Sequence, residues 1–275
     1  MIRDITLGQY YPGNSILHKR DPRIKLICLI AFFVSLFIAS KPLTLAVTAL
    51  ATATLCIMSR VNAKILLKAL KPLVFILIFT AIINVFFLTT GNVIFEFYFI
   101  KIYDMGVINA ITVFCRLISL VAGTSVILSY TTSPFDLSDA LERLLSPLKK
   151  LGVKVHDFAM MITIALRFIP TLAEETDKII SAQKARGADF ESGSLLHRMK
   201  ALVPIIVPLF VSAFRRADEL AEAMECRCYN GGEGHTKLHT PHIKPSDIVF
   251  LIVFFAVCAG IIILEGVASP WQITL

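Results

Sequence analysis

Six of the 275 residues are cysteine: Cys28, Cys56, Cys115, Cys226, Cys228 and Cys258. Four of them lie inside apolar runs, where a thiol is a small packing residue, so the chain has no extracellular disulfide framework. A nucleotide-binding loop is missing too. "GGEGHTK", residues 231–237, lacks the Gly-x4-Gly-Lys-Ser/Thr spacing and follows no strand. Asp157, Glu174 and Glu175 have neither a pocket nor a nucleophile in the pattern around them and read as a solvated face. That absence argues against an integral-membrane enzyme. Cys226 and Cys228 with His235, His239 and His242 do not follow a zinc-finger spacing and read as a polar loop. The first residues are polar and the next apolar run has no small-residue cleavage pattern, so no signal peptide is expected.

What the chain does have is apolar surface. Hydrophobic residues make up 56% and the mean hydropathy is +0.75, against about 45–50% apolar in ordinary soluble domains. A bilayer is the implied solvent. The net charge of +7 lies mostly beside hydrophobic segments. That is a topology signal, not the one-faced basic patch of a nucleic-acid binder. Five segments are expected to span: near 25–40, 43–58, 72–90, 106–129 and 247–265. The first two are short against the roughly 20 residues a span needs, and Lys25, Lys41 and Arg60 are expected to snorkel from their ends. Positive charge gathers before the first segment and between the second and third. The N-terminus and residues 130–245 are therefore expected in the cytoplasm, with "GVASPWQITL" outside and Trp271 near the interface. The basic amphipathic stretch "RVNAKILLKALK", residues 60–71, is expected to rest on an anionic inner leaflet.

The fold expected is an all-α integral membrane protein: four transmembrane helices over 1–129, a cytoplasmic domain of long, crossing amphipathic helices over 130–245, and a fifth transmembrane helix over 246–275. Ser133 and Pro134 read as the cap and first position of a helix carrying Leu137, Leu141, Leu144, Leu145 and Leu148 on one stripe. A second helix runs from about Val155 to Arg186, kinked at Pro170, and a third from about Leu195 to Arg227, bent or broken by Pro204 and Pro208. Each has an apolar first half too short to span and a charged second half. Both are expected to lie at the membrane surface and reach into the cytoplasm.

The ends of those two helices match. "AQKARGADF", residues 182–190, and "AMECRCYNG", residues 223–231, each carry an arginine between small residues: Ala185, Arg186, Gly187 and Cys226, Arg227, Cys228. Asp177 and Asp218, Ile179 and Leu220, and Ala182 and Ala223 fall at the same distances upstream. Small alanines there permit close helix approach. Gly187 suits a left-handed helix end, whereas Cys228 puts a glycine-type cap in doubt. A basic residue at a helix C-terminus is also favoured locally by the dipole. An arginine can besides grip a partner carboxylate with two hydrogen bonds. Arg116, in the middle of the fourth span, is either an internal anchor with Asn84 or a contact for a substrate or partner.

The chain resembles the transmembrane T component of energy-coupling factor transporters, the EcfT/CbiQ family. The resemblance rests on "YYPGNSILHKRDPRIKL", "RFIPTLAEETDKIISAQKARG" and "PLFVSAFRRADELAEAMECRCYNGGEG". It implies a non-catalytic coupling subunit of a cell-membrane ABC-type importer for vitamins or other micronutrients. The implied partners are two ABC ATPases, which bind the ATP and Mg, and a membrane S component that binds the substrate. Arg186 would enter one ATPase and Arg227 the other, with no cofactor on this chain. A self-sufficient permease or secondary transporter is the alternative.

Overall fold

The computed structural model describes residues 10–88, 91–97, 100–188, 190, 194–229, 231 and 243–267. They form nine α-helices and one hairpin: α1 Pro22–Ile38, α2 Pro42–Ser59, α3 Ala63–Leu70, α4 Val74–Phe87, β1 Val93–Phe97, β2 Ile100–Tyr103, α5 Asp104–Thr124, α6 Pro134–Leu144, α7 Val155–Ala185, α8 Leu195–Glu225 and α9 Pro245–Val267. The antiparallel hairpin is a small addition to the expected all-α fold. These residues divide into two compact units, one within 8–140 and 241–275, the other within 141–240.

Local chemistry sets the helix starts. Pro22 and Pro42 occupy first-turn positions, where a missing N–H costs nothing. Asp21 accepts from Arg23 N (2.9 Å) and Asn62 from Lys64 N (3.1 Å), capping α1 and α3. Ser133 caps α6 by accepting from Asp136 N (3.1 Å) while donating to the Asp136 carboxylate (2.7 Å). On the leucine stripe that begins in α6, Leu141 and Leu145 are exposed, and the buried positions of the helix are Ser138 and Ala140.

In the first unit α1 is the central helix. Its Ile24, Cys28, Leu29, Phe32 and Leu36 meet Leu55 of α2, Val126 and Ile127 just after α5, and Phe254 and Cys258 of α9. Helices α1 and α9 run parallel. Arg20 pairs with buried Asp247 at one end (3.1 Å), and Glu265 accepts from Ser40 N (3.2 Å) and Thr44 Oγ1 (2.6 Å) at the other. Lys25 does not snorkel. It is 1% exposed and donates to Thr131 O (2.7 Å) and Thr132 Oγ1 (3.2 Å), because the end of the α5 segment offers carbonyls with no helical partner. The loop before α1 lies on the same segment, with Tyr11 N bonded to Tyr130 O (3.1 Å). His18 Nε2 donates to Tyr11 O (2.8 Å) and its Nδ1 pairs with Ser15 Oγ (2.7 Å), closing that loop.

Five helical stretches among the described residues are long and apolar enough to cross a membrane: Pro42–Ser59, Ala63–Phe87, Asp104–Ser129, Val155–Ala185 and Pro245–Val267. The number agrees with the sequence reading but the set differs. Helix α1 has only 17 residues. Helix α7 enters because it runs unbroken through Pro170, joining its apolar half to its charged half. Large side chains on these helices face outward, among them Phe75, Phe87 and Ile252. That inversion suits lipid and would be an aggregation hazard in water. Trp271 lies outside the described residues.

Where α5 crosses α1 the contact is close. A Cβ at Gly123 would sit 2.5 Å from Phe32 Cε1. Gly123→Ala should therefore lower the melting temperature of the purified protein in detergent, and adding Phe32→Leu should restore most of the loss. An unchanged melting temperature in the single variant would contradict this packing.

Candidate functional site

Helices α7 and α8 pack against each other in the second unit. Their hydrogen bonds show an antiparallel pairing. Glu175 of α7 accepts from Ser212 Oγ (2.5 Å) and from Arg216 Nε and Nη2 (3.2 and 3.1 Å) of α8. Gln183 Nε2 donates to Pro204 O (3.4 Å). The second bond fills the gap left by one of the two prolines in α8. Pro208 has no N–H for the Pro204 carbonyl four residues back, and α7 supplies a donor instead. Both helices are continuous, α8 through Pro204 and Pro208 and α7 through Pro170. Glu175 is thus the hub of the pair and not a solvated-face residue. The crossing does not bury the two alanines expected to make it: Ala182 and Ala223 are exposed.

The two arginine-bearing ends share one backbone geometry. At the end of α7, Ala188 N bonds to Gln183 O (3.0 Å) and Gly187 N to Lys184 O (3.0 Å). At the end of α8, Tyr229 N bonds to Met224 O (3.0 Å) and Cys228 N to Glu225 O (2.8 Å). Both are the double closure of a Schellman motif, which satisfies carbonyls the helix leaves open. Its left-handed position falls on Gly187 (φ 86°) in one and Cys228 (φ 59°) in the other. The second cap therefore forms without glycine. A residue with a Cβ pays about 1 kcal/mol or more for that conformation. Ala185, Arg186, Gly187, Cys226, Arg227 and Cys228 are all exposed. Each arginine thus stands at the last position before the reversal, open to a partner.

Glu175 and Arg216 each lie eleven residues before their own arginine. That is about three helical turns, or roughly 16 Å, so each hub residue and its arginine share a face. In the repeat, Glu175 and Arg216 are equivalent positions, as are Thr171 and Ser212. The repeat as read from sequence begins at Asp177 and Asp218. Two residues further upstream it puts a carboxylate opposite a guanidinium.

The remaining candidates separate. Arg116 Nη2 donates to Ala39 O (2.7 Å), the carbonyl just past the end of α1. Asn84 is engaged elsewhere, accepting from Asn109 Nδ2 (2.9 Å) and donating to Thr80 O (2.9 Å). The expected Arg116–Asn84 pairing is thus replaced: a helix C-terminus supplies a carbonyl and a favourable dipole for the guanidinium. Among the described residues no group of three His, Cys, Asp or Glu side chains could hold a metal ion. His235, His239 and His242 lie outside them.

Helices long and apolar enough to cross a membrane, together with a pair of matched, arginine-tipped helices, mark a multi-pass membrane protein. Comparison with known proteins places it further. Residues 13–238 match the family described as CbiQ, cobalt transport protein. The chain is 47% identical over 267 residues to the energy-coupling factor transporter transmembrane protein EcfT of Ruminiclostridium cellulolyticum, covering 97% of this chain and 99% of that one. It is 46% identical over 237 residues to the EcfT of Bacillus subtilis, covering 86% and 89%. A third EcfT, from Brevibacillus brevis, is 50% identical over 239 residues, covering 87% and 90%. The chain belongs to the EcfT/CbiQ family of multi-pass membrane proteins, the T components of energy-coupling factor transporters.

Two outcomes test the site's geometry. Cys228→Gly should slow amide exchange at Tyr229 about fivefold, by removing roughly 1 kcal/mol of left-handed strain; faster exchange would mean the cap is not the one described. Glu175→Arg and Arg216→Glu should each speed exchange in the middle of α7 and α8, and combining them should bring it back. Additive damage in the combined variant would show that the pair is not the hub.

Proposed function

We propose that the chain is the mechanical link of an importer, carrying ATP-driven motion from two cytoplasmic ABC ATPases to a substrate-binding S component in the same membrane. The observation that carries this reading is the matched pair of exposed arginines, each held at an identical helix closure in one compact unit. Arg186 docks in one ATPase and Arg227 in the other. A guanidinium seated in an acidic groove suits this work, because its fork binds a carboxylate at two points and it keeps its charge. ATP and Mg belong to the ATPases, and this chain contributes no catalytic group. The cargo is a vitamin or another micronutrient, selected by the S component.

The membrane orientation follows from loop charge. The basic residues before α1 and between α2 and α4 lie in the cytoplasm. The start of α1 is then cytoplasmic, and so is the start of α9, which runs parallel to it. The far end of α9 reaches the outer face. The outward apolar face of α8, with Met199, Val203, Ile206, Phe210 and Phe214 exposed, supports a position against lipid or the S component.

Affinity purification from native membranes tests the reading, comparing the wild type with Arg186→Ala/Arg227→Ala. Two ABC ATPases and a small membrane protein should accompany the wild type. The double variant should lose the ATPases or hydrolyse ATP without transport, and each single variant should be weaker than wild type, since truncating one side of a buried charge pair costs about 2–5 kcal/mol. Full transport by the double variant would reject the docking role. Transport by the purified chain alone in liposomes would favour a self-sufficient permease instead.

A further inference from the structure

The two arms share a backbone and an anchor, but their flanks carry opposite charge. Two residues before the arginine stands Lys184 on α7 and Glu225 on α8. Five before it stand Ser181 and Glu222, and eight before it Lys178 and Glu219. All six are exposed. From the shared aspartate to the arginine, α7 carries Asp177, Lys178, Lys184 and Arg186, a formal charge of +2. The same stretch of α8 carries Asp218, Glu219, Glu222, Glu225 and Arg227, a formal charge of −3.

This difference sits where a partner can feel it. The residue two before the arginine is about 3 Å further up the helix axis, and the one eight before is about 12 Å away. Both distances are comparable with the ~8 Å screening length of physiological salt. The helix dipole does not separate the arms, because both closures make the same backbone bonds. Besides Cys226 and Cys228 standing where the other arm has Ala185 and Gly187, the flanking charge is what differs at the tips.

We propose that the flanks decide which ATPase each arm enters. The arm ending in Arg186 selects a groove with an acidic rim, and the arm ending in Arg227 selects one with a basic rim. The arginine is the common anchor and the flanks give each arm its address. Placing either arm in the other's groove sets like charges against each other, which is an effective way to reject a wrong partner. The inference rests on the docking reading above and adds that the two grooves are chemically distinct. The assembled complex then has one orientation.

The test uses the complete complex in native membranes. A photo-crosslinking residue replaces Ala188 in one chain and Tyr229 in another, each just past a tip. The captured ATPase is identified by mass spectrometry. In the wild-type background each probe should favour a different ATPase by about tenfold or more, and the bias should shrink as salt is raised. Exchanging the flanks by Lys178→Glu, Lys184→Glu, Glu219→Lys, Glu222→Lys and Glu225→Lys, with both arginines kept, should reverse or erase the bias. Amide exchange at Glu175 and Arg216 reports whether the exchanged chain keeps its paired helices; if that pairing is lost, Lys184→Glu/Glu225→Lys alone is used, with a partial loss of bias expected. A bias that survives the exchange, one indifferent to salt, or a single ATPase species captured by both probes overturns the inference and leaves docking intact. If neither probe captures an ATPase in the wild type, the docking reading itself fails.

Discussion

A polar group that leaves water must find a partner in the protein, and this constraint organises the first unit. Helix ends are where it bites, since each leaves up to four donors or acceptors unpaired. Beyond its local caps, the chain meets the need across helices. Lys25 of α1 takes the carbonyl of Thr131 beyond α5. Arg116 of α5 takes the carbonyl of Ala39 beyond α1. Glu265 of α9 receives the Ser40 N–H and the Thr44 hydroxyl at the start of α2. A few charged side chains thereby hold four helices at fixed heights. Apolar contact alone would not do so, because lipid is as good a neighbour as leucine.

The arms obey the same rule with different means. Pro208 deprives the Pro204 carbonyl of its donor, and Gln183 from the other helix fills the place. Glu175 gathers Ser212 and Arg216. These contacts leave the last three turns of each helix as a lever, with the hub at one end and an arginine at the other. A lever of regular helix transmits displacement because its backbone bonds are internal and need nothing from the surroundings.

Much of this is legible in the sequence, and the departures have physical causes. The arginines, their flanking residues and the helices that carry them follow from periodicity and from the repeat. The cap of α6 follows from Ser133, Pro134 and Asp136. Of the two outcomes expected for α8, bent or broken, the break does not occur, and Gln183 of α7 takes up the carbonyl that Pro208 frees. Lys25 is expected at the interface on the strength of its charge, yet an internal carbonyl is the nearer acceptor. Residue type points Arg116 to Asn84, when a backbone oxygen is available. The hairpin at Val93–Phe97 and Ile100–Tyr103 sits in a stretch that alternates apolar and polar only in part. Long-range pairings such as Glu175 with Arg216 leave no mark in local periodicity and emerge only when the two helices are laid side by side.

Helix α1 sits at the centre of its unit, yet one of its main neighbours, α9, comes from the other end of the chain. Arg20 and Asp247 are separated by 227 residues. During synthesis α1 is made long before that partner exists, with Cys28 turned toward a place still empty of protein. Both arms are made in the interval. Local contacts form early and distant ones late, so α7 and α8 can pair while the bundle is still open. The first unit is completed last, by the helix that closes it, and until then the insertion machinery or lipid must occupy that face of α1.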